Sequence, residues 1–230
     1  MVQHLTSTSI LKAWEAGVGR RPLDRGLTLL WAAGVSGDLA ALPLTERDRG
    51  LLQLRAATFG RELEAQAVCP DCGEVLGLEL DADALARALP EMTDEVVGVG
   101  DDEILLRPLT SRDLAAVVAV PTPDVPAALR ARATGGEWFP PALVPEIDAR
   151  LEAREAEGEL TTQLTCTECS TVWTEVLDVV ALVWAEVEAT ALRLVGEVAE
   201  LAAAFGWAER DILELSVVRR QTYLRIARGG

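Results

Sequence analysis

Apolar and polar positions alternate with a helical period through the first sixty residues. Ile10 to Ala16 forms a short amphipathic run ended by Gly17, and Pro22, suited to a first helical turn, opens a second run to Ala33 that stops at Gly34. The Thr45-x-x-Asp48 spacing resembles a capping box, followed by Leu51, Leu52, Leu54 and Ala57 before Gly60. The period then shortens. Glu64 to Val68 and Glu74 to Asp81 read as two strands around the turn CPDCG, a hairpin with cysteines at its tip. Glu95–Val99 and Ile104–Arg107 make a second predicted strand pair, with Gly100-Asp101-Asp102 as its turn.

Thr110 to Asp113 again has capping spacing and should open a helix over Leu114–Val120, ended by Pro121, Pro123 and Pro126. The Pro- and Gly-rich stretch from Pro121 to Pro145 reads as a flexible loop, with Trp138-Phe139 anchoring it on the core. A charged helix should cover Leu143 to Ala156 and close at Gly158. Leu160–Cys166 and Thr171–Asp178 flank a second cysteine tip, CTEC. From Asp178 a long helix should reach Phe205, with Gly206 as its stop, followed by two shorter helices over Trp207–Leu215 and Ser216–Ala227.

The predicted class is α+β, mostly helical, with a four-cysteine zinc ribbon split into two hairpin knuckles. Its parts are an N-terminal helical segment (1–60), the first ribbon half (61–81), an insertion (82–158), the second half (159–178) and the C-terminal helices (179–230).

The chemistry lies in the cysteines. Cys69, Cys72, Cys166 and Cys169 are all the cysteines of the chain, arranged as two C-x-x-C turns. Each such turn aims two thiolates at one point about 2.3 Å from each sulfur, and two turns complete the tetrahedron that zinc prefers. The 93 residues between Cys72 and Cys166 exceed ordinary ribbon spacing, hence the inferred insertion. Closing that loop costs a logarithmic entropy of a few kcal/mol, against about 10–16 kcal/mol apparent for a structural zinc site. One structural zinc ion is the cofactor expected. A redox dithiol is the competing reading, disfavoured by Asp71, Glu74 and Glu168 beside the thiols. A closed four-sulfur shell leaves zinc no open position for catalysis, so no enzymatic activity is expected.

Charge narrows the partners. The net charge is −16, from 37 acidic and 21 basic residues. Residues 61–80 carry five acids against Arg61, and residues 159–178 carry four acids and no base, which argues against nucleic acid as the ribbon's partner. A nucleic-acid-binding zinc-ribbon regulator stays as an alternative. Charges interrupt the longest apolar run, Val179 to Phe205, so a membrane span is not expected, and the N-terminal run lacks the pattern of a secretory signal. A cytoplasmic protein is expected, in the free state or built into a larger particle.

Two segments run against the acidic mean. Residues 1–30 hold four basic against two acidic residues, and residues 208–228 five against three. In the long helix Val180, Trp184, Val187, Ala191, Leu194, Val198, Leu201 and Phe205 share one stripe, widened by Leu192, Val195, Ala199 and Ala202, while Glu186, Thr190, Arg193, Glu197 and Glu200 form a polar strip. Such a face suits a core helix, a docking face, or both. Trp184, Trp207, Arg219, Arg220 and Tyr223 are the docking candidates, with a solvated cationic helix end as the simpler reading of the arginines.

The order of segments ILKAWEAG, RGLTLLWAA, RDRGLLQLRAATFG leading into CPDCG, LRPLTSRDLAAV, LTCTECSTVWTEVLDVVALVWAEVEA and AFGWAERDILELSVVRRQTYL resembles a family of T-even-type phage baseplate, or baseplate hub assembly, proteins. Relatives of that family occur beside genes for phage-tail-like contractile injection systems. The resemblance spans nearly the whole chain and implies zinc ligation by Cys69, Cys72, Cys166 and Cys169. It also implies docking onto baseplate, hub or spike proteins, as an assembly chaperone or as a minor component of the particle. The second knuckle departs from the expected C-P-x-C-G pattern: Thr167 replaces proline and Ser170 replaces glycine, which should loosen that turn without removing a ligand.

Overall fold

The computed structural model describes residues 2–99 and 102–229. Helix α1 (Ser7–Gly17) starts at a capping box formed by Thr6 and Ser9, and α2 (Pro22–Ala32) carries its proline in the first turn. A single 3₁₀ turn (Leu39–Ala41) leads to α3 (Leu44–Phe59). The capping box expected at Thr45 does not form. Pro43 precedes the helix, makes a β-bridge to Thr110, and leaves Thr45 buried within the first turn. A tertiary contact thus displaces the local cap.

Strands β1 (Glu62–Val68) and β2 (Val75–Asp81) pair antiparallel, from Glu62 opposite Asp81 to Val68 opposite Val75 at the tip. Asp81 then caps α4 (Ala82–Ala88) through the Ala84 N–H, a helix the hydrophobic pattern does not announce. Strands β3 (Glu95–Val99) and β4 (Asp102–Leu106) form the expected hairpin, while Gly100 and Asp101 of its turn lie outside the described residues. Helix α5 (Ser111–Val117) begins at the predicted Thr110–Asp113 capping box.

The expected loop at 121–145 is largely structured. A 3₁₀ turn (Thr122–Asp124) runs into α6 (Val125–Ala133), because Pro126 occupies the first turn, where its missing N–H costs no hydrogen bond. Phe139 packs on a small cluster of Val99, Ile104, Leu106 and Ile147, but Trp138 is exposed rather than anchored. Helix α7 (Val144–Glu157), strands β5 (Thr161–Thr165) and β6 (Val172–Val176), and the 27-residue α8 (Val179–Phe205) follow. Gly206, at φ 70°, ends α8 in the left-handed conformation that glycine adopts without strain. The short α9 (Glu209–Leu213) and α10 (Val217–Ala227), capped by Ser216, complete the chain.

The main core joins α1, α2, α3, α4 and the first four turns of α8. Gly17 is essential there: a Cβ would sit 2.5 Å from the Trp184 ring, so the end of α1 can approach α8 only without a side chain. Arg25 lies over the same ring at 4.8 Å, a cation–π contact. Arg55 is buried and ties α3 to α8 through two bonds to Glu186, at 2.8 and 2.7 Å, and a third to the Gly60 carbonyl. The last part of α8 carries a separate cluster of Leu201, Ile212 and Leu224, edged by Trp207 and Tyr223. Each pair of strands forms its own two-stranded sheet, and the two cysteine-tipped hairpins share no ladder.

Candidate metal centre

Both cysteine turns have the same backbone design. In the first, the Cys69 N–H donates to the Glu74 carbonyl at 2.8 Å and the Gly73 N–H donates to the Cys69 carbonyl at 3.0 Å. In the second, the Cys166 N–H donates to the Thr171 carbonyl at 2.9 Å and the Ser170 N–H donates to the Cys166 carbonyl at 3.1 Å. The residue after each second cysteine must turn left-handed. Gly73 does so at φ 79°, and Ser170 does so at φ 64°, the only non-glycine residue with positive φ among the described residues. The departure read from the sequence at Ser170 is therefore a site of backbone strain, not a change of turn.

The tips meet sulfur to sulfur. Cys69 Sγ lies 3.6 Å from Cys169 Sγ, Cys72 Sγ lies 3.5 Å from Cys166 Sγ, and all four sulfurs lie within 4.8 Å of one another. These separations are far beyond a disulfide bond of about 2.05 Å. They bracket the roughly 3.8 Å edge of a tetrahedron with about 2.3 Å metal–sulfur bonds. Cys69 and Cys166 are buried and Cys72 and Cys169 exposed, so the cluster has a protected inner side and a solvent-facing outer one. The four residues predicted as ligands thus converge from positions about a hundred apart and can hold one metal ion.

A second contact links the turns. The Thr171 hydroxyl donates to the Asp71 carboxylate of the opposite turn and accepts from the Cys169 thiol, both at 3.2 Å. Once ionised, Cys169 accepts from the Thr171 hydroxyl and amide instead, which lowers its thiol to about 6. At Cys72 the Glu74 amide favours the thiolate, but the surrounding thiols of Cys169, Cys166 and Cys69 outweigh it and push Cys72 up to about 12. Cys72 therefore stays a thiol at neutral pH when unaided, and a divalent cation held at the cluster would supply the charge that lets it ionise.

The residues expected to dock a partner separate into three groups. Trp184 is 3 % exposed and belongs to the core. Arg220 is also 3 % exposed: its Nε donates to Glu197 at 2.6 Å and its Nη1 to the Ser7 hydroxyl at 3.4 Å, while Gln221 donates to the other Glu197 oxygen at 2.7 Å. Burial removes both from a docking surface, and it removes Glu197 from the expected polar strip. Trp207 and Tyr223 are half-buried: Trp207 stacks on Phe205 with ring centroids 4.7 Å apart, and Tyr223 meets the Trp207 ring edge-on at 4.8 Å. Arg219 alone is exposed. Leu192 and Val195 on α8 and Val217 and Val218 on α10 stay exposed, so much of the widened stripe is not core. No helix among the described residues is long and apolar enough to cross a membrane.

Neither family models, curated proteins nor solved structures yield a match to this chain.

Proposed function

We propose that the chain is a non-enzymatic, zinc-stabilised docking protein that takes part in assembling the baseplate of a contractile, phage-tail-like injection system. In this reading Cys69, Cys72, Cys166 and Cys169 hold one structural zinc ion as a split ribbon. All four donors are sulfurs at tetrahedral spacing, the donor set that zinc occupies in closed structural sites.

The observation that carries the assembly role is the resemblance of segments spread over nearly the whole chain. Its physical support is that those segments supply interlocking parts of the fold: AFGWAERDILELSVVRRQTYL builds the aromatic and Arg220–Glu197 contacts that seat α9 and α10 on α8. Exposed Leu192, Val195, Val217 and Val218 give such a protein apolar surface to offer a hub, spike or wedge partner.

Tagged chain, purified from cells assembling the contractile apparatus, should bring down hub, spike or wedge proteins, and deleting its gene should remove sheathed particles. A chain recovered alone, with intact sheathed particles in its absence, would refute the role. Metal analysis should give one zinc per chain, with four thiols unreactive until chelation.

A further inference from the structure

From Ser216 to Arg228 the chain carries four arginines and no acidic residue, in a protein with 37 acids against 21 bases. The fold divides those arginines. Arg220 and Arg228 turn back onto α8, to Glu197 at 2.6 Å and to Glu200 at 2.8 Å. Arg219 and Arg225 are exposed and, among the described residues, neither is in an ion pair. Of the acids in the preceding segment, Asp211 is held by Arg210 at 3.3 Å, and Glu209 and Glu214 pair with neither arginine.

Helical geometry sets these two cations on either side of an apolar ridge. At 100° per residue, Arg225, Val218, Thr222, Ile226 and Arg219 follow one another within a sector of about 120°, opposite the buried Arg220 and Leu224. Val218 and Ile226 are 77 % and 54 % exposed, with exposed Thr222 between them, and the ridge runs for about 12 Å. The fold makes no use of it: Leu224, Leu201 and Ile212 supply the buried contact that seats α10, and the Arg220–Glu197 pair the polar one.

A second, independent observation is the type of residue on the ridge. Val218, Thr222 and Ile226 are all β-branched, and such residues are poor choices for the solvent face of a helix, where packing does not decide. Their side chains are stiff at χ1, so little rotamer freedom is lost when a surface closes on them.

Charge decides among the occupants. Two outward arginines neutralise two phosphates, too few to hold nucleic acid against a net charge of −16. Two aliphatic side chains are too little apolar area to anchor the chain on a bilayer. A second copy docked face to face through α10 would set arginine against arginine. A partner segment needs carboxylates only where they meet Arg219 and Arg225, and at physiological ionic strength acids more than about 8 Å away are largely screened.

We infer that the outer face of α10 docks an acidic segment of a partner protein, with Val218, Thr222 and Ile226 against aliphatic side chains and Arg219 and Arg225 paired to carboxylates on either side. A guanidinium fits a carboxylate with two parallel hydrogen bonds, which fixes the register of the docked segment as well as attracting it. The inference rests on the docking role proposed above and gives that role a partner chemistry; the metal centre is not needed for it.

The test uses the full-length protein and a phage-displayed library of random 12-residue peptides. Peptides retained by the parent are counter-selected on Arg219→Glu/Arg225→Glu, and the survivors are synthesised for anisotropy titrations. The expected survivors carry carboxylates flanking aliphatic residues. The double variant should weaken them by about tenfold or more with melting unchanged, Val218→Gln/Ile226→Gln should weaken them as well, and replacing the peptide's acids with lysine should restore binding to the double variant while losing the parent. Survivors without acids, no survivors, or equal binding to both variants would each overturn the inference. So would arginine-dependent binding of duplex DNA or of phosphatidylserine vesicles, or self-association that the double variant abolishes in sedimentation. Co-purification separates this inference from the assembly role: acidic peptides bound but no hub, spike or wedge protein recovered refutes the assembly role alone, whereas equal recovery of those proteins by parent and double variant refutes the α10 site alone.

Discussion

Replacing Glu197 with alanine tests whether the C-terminal arginines serve the fold or a partner. Arg220 and Glu197 are 3 % and 6 % exposed, and their 2.6 Å bond is supplemented by Gln221 on the second carboxylate oxygen. Removing one member of a buried ion pair leaves the other charge without compensation, which costs about 3–5 kcal/mol. The cluster beneath it is small. Leu201, Ile212 and Leu224 are its buried members, and at about 1.5–3 kcal/mol each they supply about 5–9 kcal/mol before the ordering of α9 and α10 is subtracted. A loss of 3–5 kcal/mol therefore consumes most of what seats α10. The expected outcome is local detachment: amide hydrogens of α9 and α10 exchange faster by two orders of magnitude or more, since each 1.4 kcal/mol is about tenfold, while α1–α3 and the first turns of α8 keep their protection. Pairing Glu197→Met with Arg220→Met should recover most of the loss, because a filled apolar site avoids the stranded charge. If Glu197→Ala alters neither exchange nor melting, the pair is not structural, and Arg220 returns to the docking residues.

Three further outcomes follow from the same geometry. Ser170→Gly relieves a left-handed non-glycine residue worth about 1–2 kcal/mol, less about 0.5–1 kcal/mol for the freer unfolded chain, so denaturant unfolding should show a gain of about 0.5–1 kcal/mol with metal content unchanged. Chelation, or Cys72→Ser, should speed amide exchange at the tips of both cysteine hairpins, including Cys69 and Cys166, before it affects the strand bases buried around Leu160 and Leu177. Burial would raise the Asp113 carboxyl, but Arg107 and Thr110 outweigh burial and lower it to about 2 from its ordinary 3.8; its stabilisation is thus complete above about pH 4 and lost as pH falls through 2. Asp113→Asn should be less stable than the parent at neutral pH, and the two melting curves should converge toward pH 2.

Signals that depend on neighbours in sequence were readable before any coordinates. Gly206, Ser216 and the Thr110–Asp113 box end or begin helices where their local chemistry requires it. Thr45-x-x-Asp48 has the same local form and fails, because Pro43 is drawn to Thr110 and the cap position is used by a contact 67 residues away. Helix α6 was hidden by counting prolines without their positions, since a proline in the first turn is compatible with the helix that follows. Arg220 reads in sequence as one of a solvated basic pair. Its burial depends on Glu197, which the helical period places on a polar strip and only the return of α10 encloses. A cavity of about 530 Å³ is similarly illegible: its walls come from α2, α3, α7, α8, the base of the β5–β6 hairpin and the segments beside α4 and α5, and no local pattern marks a void.

The cysteines were legible for a different reason: their spacing encodes coordination chemistry, which does not require the path of the chain between them. That path gives the site its mechanical role. The two cysteine hairpins share no strand ladder; their bases meet in the core through Leu80, Leu160 and Leu177, and their tips meet at four sulfurs and the Thr171–Asp71 bond. Between Cys72 and Cys166 lie the 93 residues that carry α4 to α7. A metal ion at the tips therefore closes a loop containing the whole insertion, and lowers the entropy of every arrangement in which α5 and α7 leave α3. Because the cavity is walled by those same elements, its shape should depend on the distant sulfur cluster even though no sulfur lines it.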